Sequence, residues 1–223
     1  MGERKIPGGG WTVAVVVAAV LASCSQRGGD DSGSGAEHGG GANGAGKRHT
    51  SAPLSVAAVE RMAAKPGTDC PVRYDVAEAA HAAGAKGAVT PGSVEGELPD
   101  GADSPLARSD GALVDCGYRL GKERLHLFTI GVRKGHAVNV LLPQIQHDAR
   151  LPMDDLLGYA DRAQQTKRGE PLLTPSGNVA AVRLPVSGEG DVALVVSIGD
   201  RDTRLTHGQV TDLAARLADQ ARR

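Results

Sequence analysis

Aromatic residues are scarce in this chain of 223 residues, which contains one tryptophan, one phenylalanine and three tyrosines. The tryptophan, Trp11, lies close to the amino terminus, so four aromatic side chains remain beyond it. A folded domain must therefore build its core from leucine, valine, isoleucine and alanine. Because small apolar side chains each bury little area, we expect the domain to need covalent support as well.

The chain also lacks an excess of positive or of negative charge. The chain has 25 lysines and arginines against 26 aspartates and glutamates, and no basic run is longer than a pair such as Lys167-Arg168. Proteins that bind nucleic acid rely on clustered basic residues that contact phosphates. We therefore expect no nucleic-acid partner.

Motifs of well-known catalytic chemistry do not occur. The chain has no Gly-x-Ser-x-Gly turn, His-Glu-x-x-His helix, Walker loop or Cys-x-x-Cys cluster. The glycines of residues 39–44 match a dinucleotide-binding pattern, but neither a strand nor a helix is predicted beside them. We assign no catalytic residue, cofactor or metal, and we expect a protein that is not an enzyme.

Histidines and aspartates between residues 126 and 155 offer the one catalytic alternative. His147-Asp148 and Asp154-Asp155 could pair a base with carboxylates, and a hairpin could bring His126 towards the residues after it. A solvent-facing strand residue at His126, a turn at His136 and an acidic first helical turn explain the same residues. The alternative function is therefore a small envelope hydrolase that uses these side chains.

The amino terminus has the layout of a secretory signal peptide. Basic residues 4–5 precede an apolar run from Trp11 to Ala22, which has 12 residues. A helix that spans a membrane needs about 20 apolar residues, so this run is too short for a permanent span.

The end of the apolar run is more specific. Leu21-Ala22-Ser23-Cys24 resembles the lipobox of bacterial lipoproteins. The resemblance implies that residues 1–23 are removed, that Cys24 is lipidated and that Cys24 becomes the first mature residue. Such an anchor would hold the protein on the outer face of the cytoplasmic membrane. An ordinary secretory signal cut near Ala22 or Ser23 is the alternative.

Residues 25–52 contain nine glycines and no Val, Ile, Leu, Phe or Met. A segment of this composition behaves as a flexible coil, because it has nothing to bury. The predicted organisation is a signal peptide over residues 1–23, a lipid-anchored linker over 24–52 and a single extracytoplasmic domain over 53–223.

The domain has alternating helical and strand patterns. Apolar spacing of three and four predicts helices over residues 54–64, 75–83, 152–165 and after Thr206. Strands are predicted over 112–118, 125–132, 137–142, 171–174, 178–184 and 191–198, and a long surface loop over 85–110. This order predicts an α+β fold with a largely antiparallel sheet of five to six strands and helices packed on one side.

Cys70 and Cys116 form an even pair in a domain without another cysteine. Outside the cytoplasm such a pair is expected to form a disulfide. Two free thiols or a metal-binding pair are the alternatives.

The combination of these sequence features resembles that of a known protein family. A lipobox, a glycine-rich linker, Cys70 before an alanine-rich helix, and Cys116 opening a strand with Tyr118 after it resemble small actinobacterial lipoproteins of unknown function. Those lipoproteins are distantly similar to the extracellular sensor domain of an actinobacterial serine/threonine kinase. The resemblance implies a binding or regulatory module whose partner is an envelope protein or a small ligand.

Overall fold

The computed structural model describes residues 53–65, 69–93 and 101–221. The predicted signal peptide, Cys24 and the predicted linker lie outside the described residues. The helices are α1 (Val56–Ala63), α2 (Val76–Ala82), α3 (Pro105–Arg108), α4 (Ala137–Val140), α5 (Leu142–Ala149), α6 (Met153–Gln165) and α7 (His207–Gln220). The strands are β1 (Val89–Pro91), β2 (Gly111–Leu120), β3 (Glu123–Val132), β4 (Pro171–Leu173), β5 (Val179–Arg183) and β6 (Asp191–Ile198).

The strands form one sheet in the order β1-β2-β3-β6-β5-β4. Every neighbouring pair is antiparallel, including β3 with β6, which are far apart in the chain. The α+β class and the largely antiparallel sheet of five to six strands are therefore confirmed.

Helices pack against both faces of this sheet, whereas the sequence predicted helices on one side. Val192, Leu194 and Val196 of β6 join a core with residues of α1, α2 and α7, on what we term the first face. The alternate residues Ala193 and Val195 join a second core with α4, α5 and α6, on the second face. Since all residues of β6 are buried, a single helical layer would leave half of its apolar side chains in water.

The helices predicted over residues 75–83 and after Thr206 are confirmed as α2 and α7. α7 begins with the predicted capping box, in which Thr206 Oγ1 accepts a hydrogen bond from the Gln209 N–H at 3.2 Å. The Gln209 side-chain oxygen accepts one from the Thr206 N–H at 2.9 Å. α2 is followed by Gly84 in the left-handed conformation, with φ of 70°, which favours glycine at the end of a helix.

Residues 137–142 form α4 and the start of α5, so the strand predicted there is wrong. A short apolar run does not distinguish a strand from a buried helix by periodicity. A residue far along the chain caps the first turn of α4, because a carboxylate oxygen of Asp191 accepts a hydrogen bond from the Ala137 N–H at 3.0 Å. No local sequence signal reports that distant contact.

The predicted loop over residues 85–110 contains two short elements. β1 has three residues and lies at the edge of the sheet, where Pro91 needs no N–H for a further neighbour. α3 has four residues and is capped by Ser104, whose hydroxyl accepts the Ala107 N–H at 3.2 Å. Elements this short carry too few residues for a periodic pattern.

Asp191 is almost fully buried and binds two arginines. It lies 2.9 Å from an Arg168 nitrogen and 3.2 Å from an Arg183 nitrogen, in addition to its bond to the Ala137 N–H. This carboxylate joins the start of β6, the end of β5, the start of α4 and the turn before β4. Its charge is compensated only while these partners stay in place.

We predict that Asp191→Ala lowers the free energy of unfolding by roughly 3–5 kcal/mol, since it leaves a half-buried arginine charge without its carboxylate. Urea unfolding followed by circular dichroism measures the change. The matched control is Glu60→Ala, which breaks the more exposed Glu60–Arg133 pair of 2.7 Å. That variant should lose under about 1 kcal/mol. Equal losses in the two variants would contradict the role of Asp191.

Candidate functional site

A disulfide joins the first face of β2 to the segment between α1 and α2. Cys70 and Cys116 are bonded, with 5.2 Å between their Cα atoms. Cys116 is 2% exposed, whereas Cys70 is half-buried. The predicted disulfide is confirmed, and the structure thus holds neither the free thiols nor the metal-binding pair at these cysteines.

A cleft of about 800 Å³ opens beside the disulfide, along the outer edge of β2. Its floor is a run of consecutive β2 residues from Leu113 to Tyr118. The end of α1 and the segment that carries Cys70 form one wall, and the residues after β1 close one end. Other lining residues are Met62, Ala63, Lys65, Asp69, Pro71, Val72, Arg73, Tyr74, Pro91, Gly92 and Ser93.

The charges of the lining residues balance, with Lys65 and Arg73 against Asp69 and Asp115. Its tyrosines are not acid–base groups at neutral pH. Burial raises the pKa of Tyr74 far above its usual value, and its hydroxyl is hydrogen-bonded to Thr129 Oγ1 at 2.6 Å. Burial also raises the pKa of Tyr118. The described lining therefore suits binding and lacks a neighbouring acid and base.

The second face carries a polar cluster, in which Asp115 on β2, a residue that also lines the cleft, lies beside His126 on β3. His126 Nδ1 lies 3.6 Å from Asp115 Oδ1, and the two side chains are 17% and 16% exposed. Asp115 holds the pKa of His126 above its usual value, and Asp148 of α5 adds a smaller effect. Burial of the ring and Arg124 act in the opposite direction. The net effect stabilises the protonated imidazole relative to that of a free histidine.

Ser197 of β6 lies directly opposite His126 in the strand register, so both belong to the second face. Asp115 is diagonal to His126, because Gly117 is the residue directly opposite that histidine. Asp115, His126 and Ser197 thus form an oblique row across three neighbouring strands, a set of residue types known from nucleophilic catalysis. Ser197 is only 3% exposed, and the 3.6 Å between His126 and Asp115 is longer than a hydrogen bond. The row is therefore not open to a substrate.

Sequence reasoning missed Asp115 and Ser197. Strand periodicity places each on one side of its own strand, but it does not reveal which strands are neighbours or in which register. The one sequence signal for these two residues is that each is a polar position within an otherwise apolar strand.

Of the other residues of the predicted hydrolase region, Asp148 lies near enough to His126 to raise its pKa, whereas His136, Asp154 and Asp155 have no hydrogen bond or ion pair with that histidine in the described part of the chain. His136 precedes α4, and its buried Nδ1 has no hydrogen bond. His147 is exposed and lies 3.1 Å from its neighbour Asp148. Asp154 and Asp155 are exposed in the first turn of α6.

Metal-binding clusters and membrane-spanning helices can be assessed for the described ranges. Within them, no cluster of three His, Cys, Asp or Glu side chains is placed to hold a metal ion. Among the helices of these same ranges, none combines the length and the hydropathy needed to cross a membrane.

Comparisons of the chain with known protein families, with curated proteins and with solved structures find no match. The resemblance to small actinobacterial lipoproteins therefore stays a prediction. What the molecule does has to be argued from its cleft and its side chains.

We predict that Cys70→Ala/Cys116→Ala lowers the free energy of unfolding by about 4 kcal/mol, because the bridge closes a loop between positions 46 residues apart. Urea unfolding measures the loss. The wild-type chain with reductant is the control, since it keeps both cysteine side chains and should unfold like the variant. Unchanged unfolding midpoints in both samples would contradict a stabilising bridge.

His126 should stabilise the fold more at low pH than at high pH. Its pKa is raised in the folded state, so its contribution is full below the unfolded value of about 6.5 and is lost as the pH rises through the folded value. We expect the loss of unfolding free energy in His126→Gln to be about 1 kcal/mol larger near pH 5.5 than near pH 8.5.

The control for this measurement is His147→Gln, whose side chain is 84% exposed beside Asp148. Exposed ion pairs contribute little, so its effect on unfolding should be small at both values of pH. A pH-independent effect of His126→Gln would contradict the ion pair with Asp115.

Proposed function

We propose that this protein is a lipid-anchored, extracytoplasmic lipoprotein that serves the cell envelope as a non-catalytic binding or regulatory module. Cys24 would carry the lipid, and the cleft beside the disulfide would take the ligand. The cleft is the observation that carries this proposal.

The size and lining of the cleft support binding. Its volume of about 800 Å³ falls in the range of known ligand sites. The disulfide and the hydrogen bond between Tyr74 and Thr129 hold its wall to the sheet. A wall that is already fixed loses little freedom when a ligand binds, which favours affinity.

The sequence before the domain supports an anchored position. The lipobox ends at Cys24, and the glycine-rich residues 25–52 have a root-mean-square reach of about 30 Å. A domain on such a tether samples the space next to the membrane, where envelope proteins and their ligands are concentrated.

A small envelope hydrolase has weaker support. Its best residues would be His126 with Asp115 and Ser197, but the serine is buried and α5 packs over that face. The other histidines lie apart from this row. Catalysis would require the second face to open, whereas binding in the cleft requires no change.

One experiment tests anchor and cleft together, in a bacterial host that lipidates proteins. A photo-crosslinking residue replaces Tyr118, which lines the cleft, and is also tested in combination with Cys24→Ala. We expect the Cys24 chain to gain the mass of a diacylglyceryl group, to stay in the membrane fraction and to form an adduct on illumination. The Cys24→Ala chain should be unmodified, leave the membrane fraction and lose the adduct.

The control places the same crosslinking residue at Leu157 of α6, which is 58% exposed and does not line the cleft. An adduct at both positions would indicate non-specific contact and contradict the cleft. An unmodified, secreted Cys24 chain would contradict the anchor.

A further inference from the structure

The geometry points to an extended polypeptide segment of a partner protein as the ligand of the cleft, added as a strand to the open edge of β2. This inference rests on the binding role proposed above and names the class of ligand. The added segment would continue the line of β1 along β2.

Among the described residues, none pairs with the outer side of β2 over the first six of its ten residues. β2 runs over ten residues, Gly111–Leu120, but β1 pairs only with its last three, from Tyr118 to Leu120. One more backbone bond follows, from the Gly92 N–H to the Gly117 carbonyl at 3.0 Å. Beyond it, no described residue pairs with the outer side of β2.

The backbone groups of this open stretch are placed for an incoming strand. The Gly117 carbonyl and the Gly121 N–H both point outwards, since they bond to Gly92 and Ala88. Backbone direction alternates along a strand, so the N–H and carbonyl groups of Leu113 and Asp115 point outwards as well. In the described part of the chain, neither residue has a backbone partner on that side.

The cleft follows this edge and not one face of the sheet. Side chains of successive β2 residues point to opposite faces, yet every residue from Leu113 to Tyr118 lines the cleft. These six residues span about 17 Å from the first to the last, enough for an extended segment of similar length.

The walls restrict the occupant to a single strand. The segment with Cys70 and Tyr74 covers the first-face side. The backbone after β1 covers the second-face side at Gly117, where an added Cβ would lie 2.6 Å from the Ser93 carbonyl oxygen. A second copy of this chain would have to bring its own sheet between these walls, whereas an extended segment is only one strand wide.

The chemistry of the lining indicates what the segment carries. Towards the first face it meets Val72, Val114 and the disulfide, which favour apolar side chains. Towards the second face it meets Asp115, whose buried Oδ1 already faces His126 Nδ1 at 3.6 Å, so the first-face contacts set the preference. An acyl chain would leave the outward backbone groups without partners, and this counts against a lipid.

Selection from a peptide library tests the inference. Phage that display random peptides of about ten residues are selected on the full chain in detergent micelles, and the selected peptides are then compared on Leu113→Pro. Proline at this position removes one outward N–H and no bond of the sheet. Leu113→Ala is the matched control, because it shortens the side chain and keeps the N–H.

We expect a selected peptide to bind Leu113→Pro roughly tenfold more weakly than wild type and Leu113→Ala within about threefold. The peptide methylated on alternate backbone nitrogens should also bind at least tenfold more weakly, and this readout needs no variant of the protein. Hydrogen–deuterium exchange of the Leu113 and Asp115 amides should slow when the peptide is bound.

Three results would overturn the inference: no enriched peptide, equal binding of the methylated peptide, or slowed exchange confined to other strands. If the Tyr118 adduct persists in cells while no peptide binds, the cleft binds a ligand of another class and the proposed function stands. If the adduct is also absent, the binding role fails with it.

Discussion

The pairing of β3 with β6 at the centre of the sheet is the contact on which the rest of the structure depends. The two strands are matched over eight positions, and their buried side chains alternate between the two cores. Strands that are apolar on both sides must be covered on both sides. The chain between them supplies α4, α5 and α6 to the second face, and the two ends of the domain supply α1, α2 and α7 to the first.

Distance from this centre explains the position of the cleft. β2 lies one strand further out, and β1 covers only part of it. Next to the remaining edge lie the disulfide and the residues at Gly92, whose N–H makes the last backbone bond to β2, at Gly117. An open stretch of the sheet edge and the cleft therefore occur together in the described part of the chain.

Local patterns were sufficient where an element is long and stabilised by its own residues. The capping box at Thr206, the glycine after α2 and the apolar stripe of α6 predicted their helices, and alternation predicted β2, β3, β5 and β6. They failed at α4, which depends on Asp191 from another strand, and at β1 and α3, which are too short for a period. The candidate site was predictable only at its cysteines, because Asp115, His126 and Ser197 become neighbours through strand register alone.

The class of the domain, its antiparallel sheet, its aliphatic core and the pairing of Cys70 with Cys116 follow from the amino-acid sequence, since composition, periodicity and a single cysteine pair in the domain leave few alternatives. The folded chain is needed to show that helices cover both faces, that Asp191 joins four segments, and that the outer edge of β2 lines a cleft. These features depend on which distant segments meet. Strand order and register are set by the burial of all segments at once, and no local pattern records them.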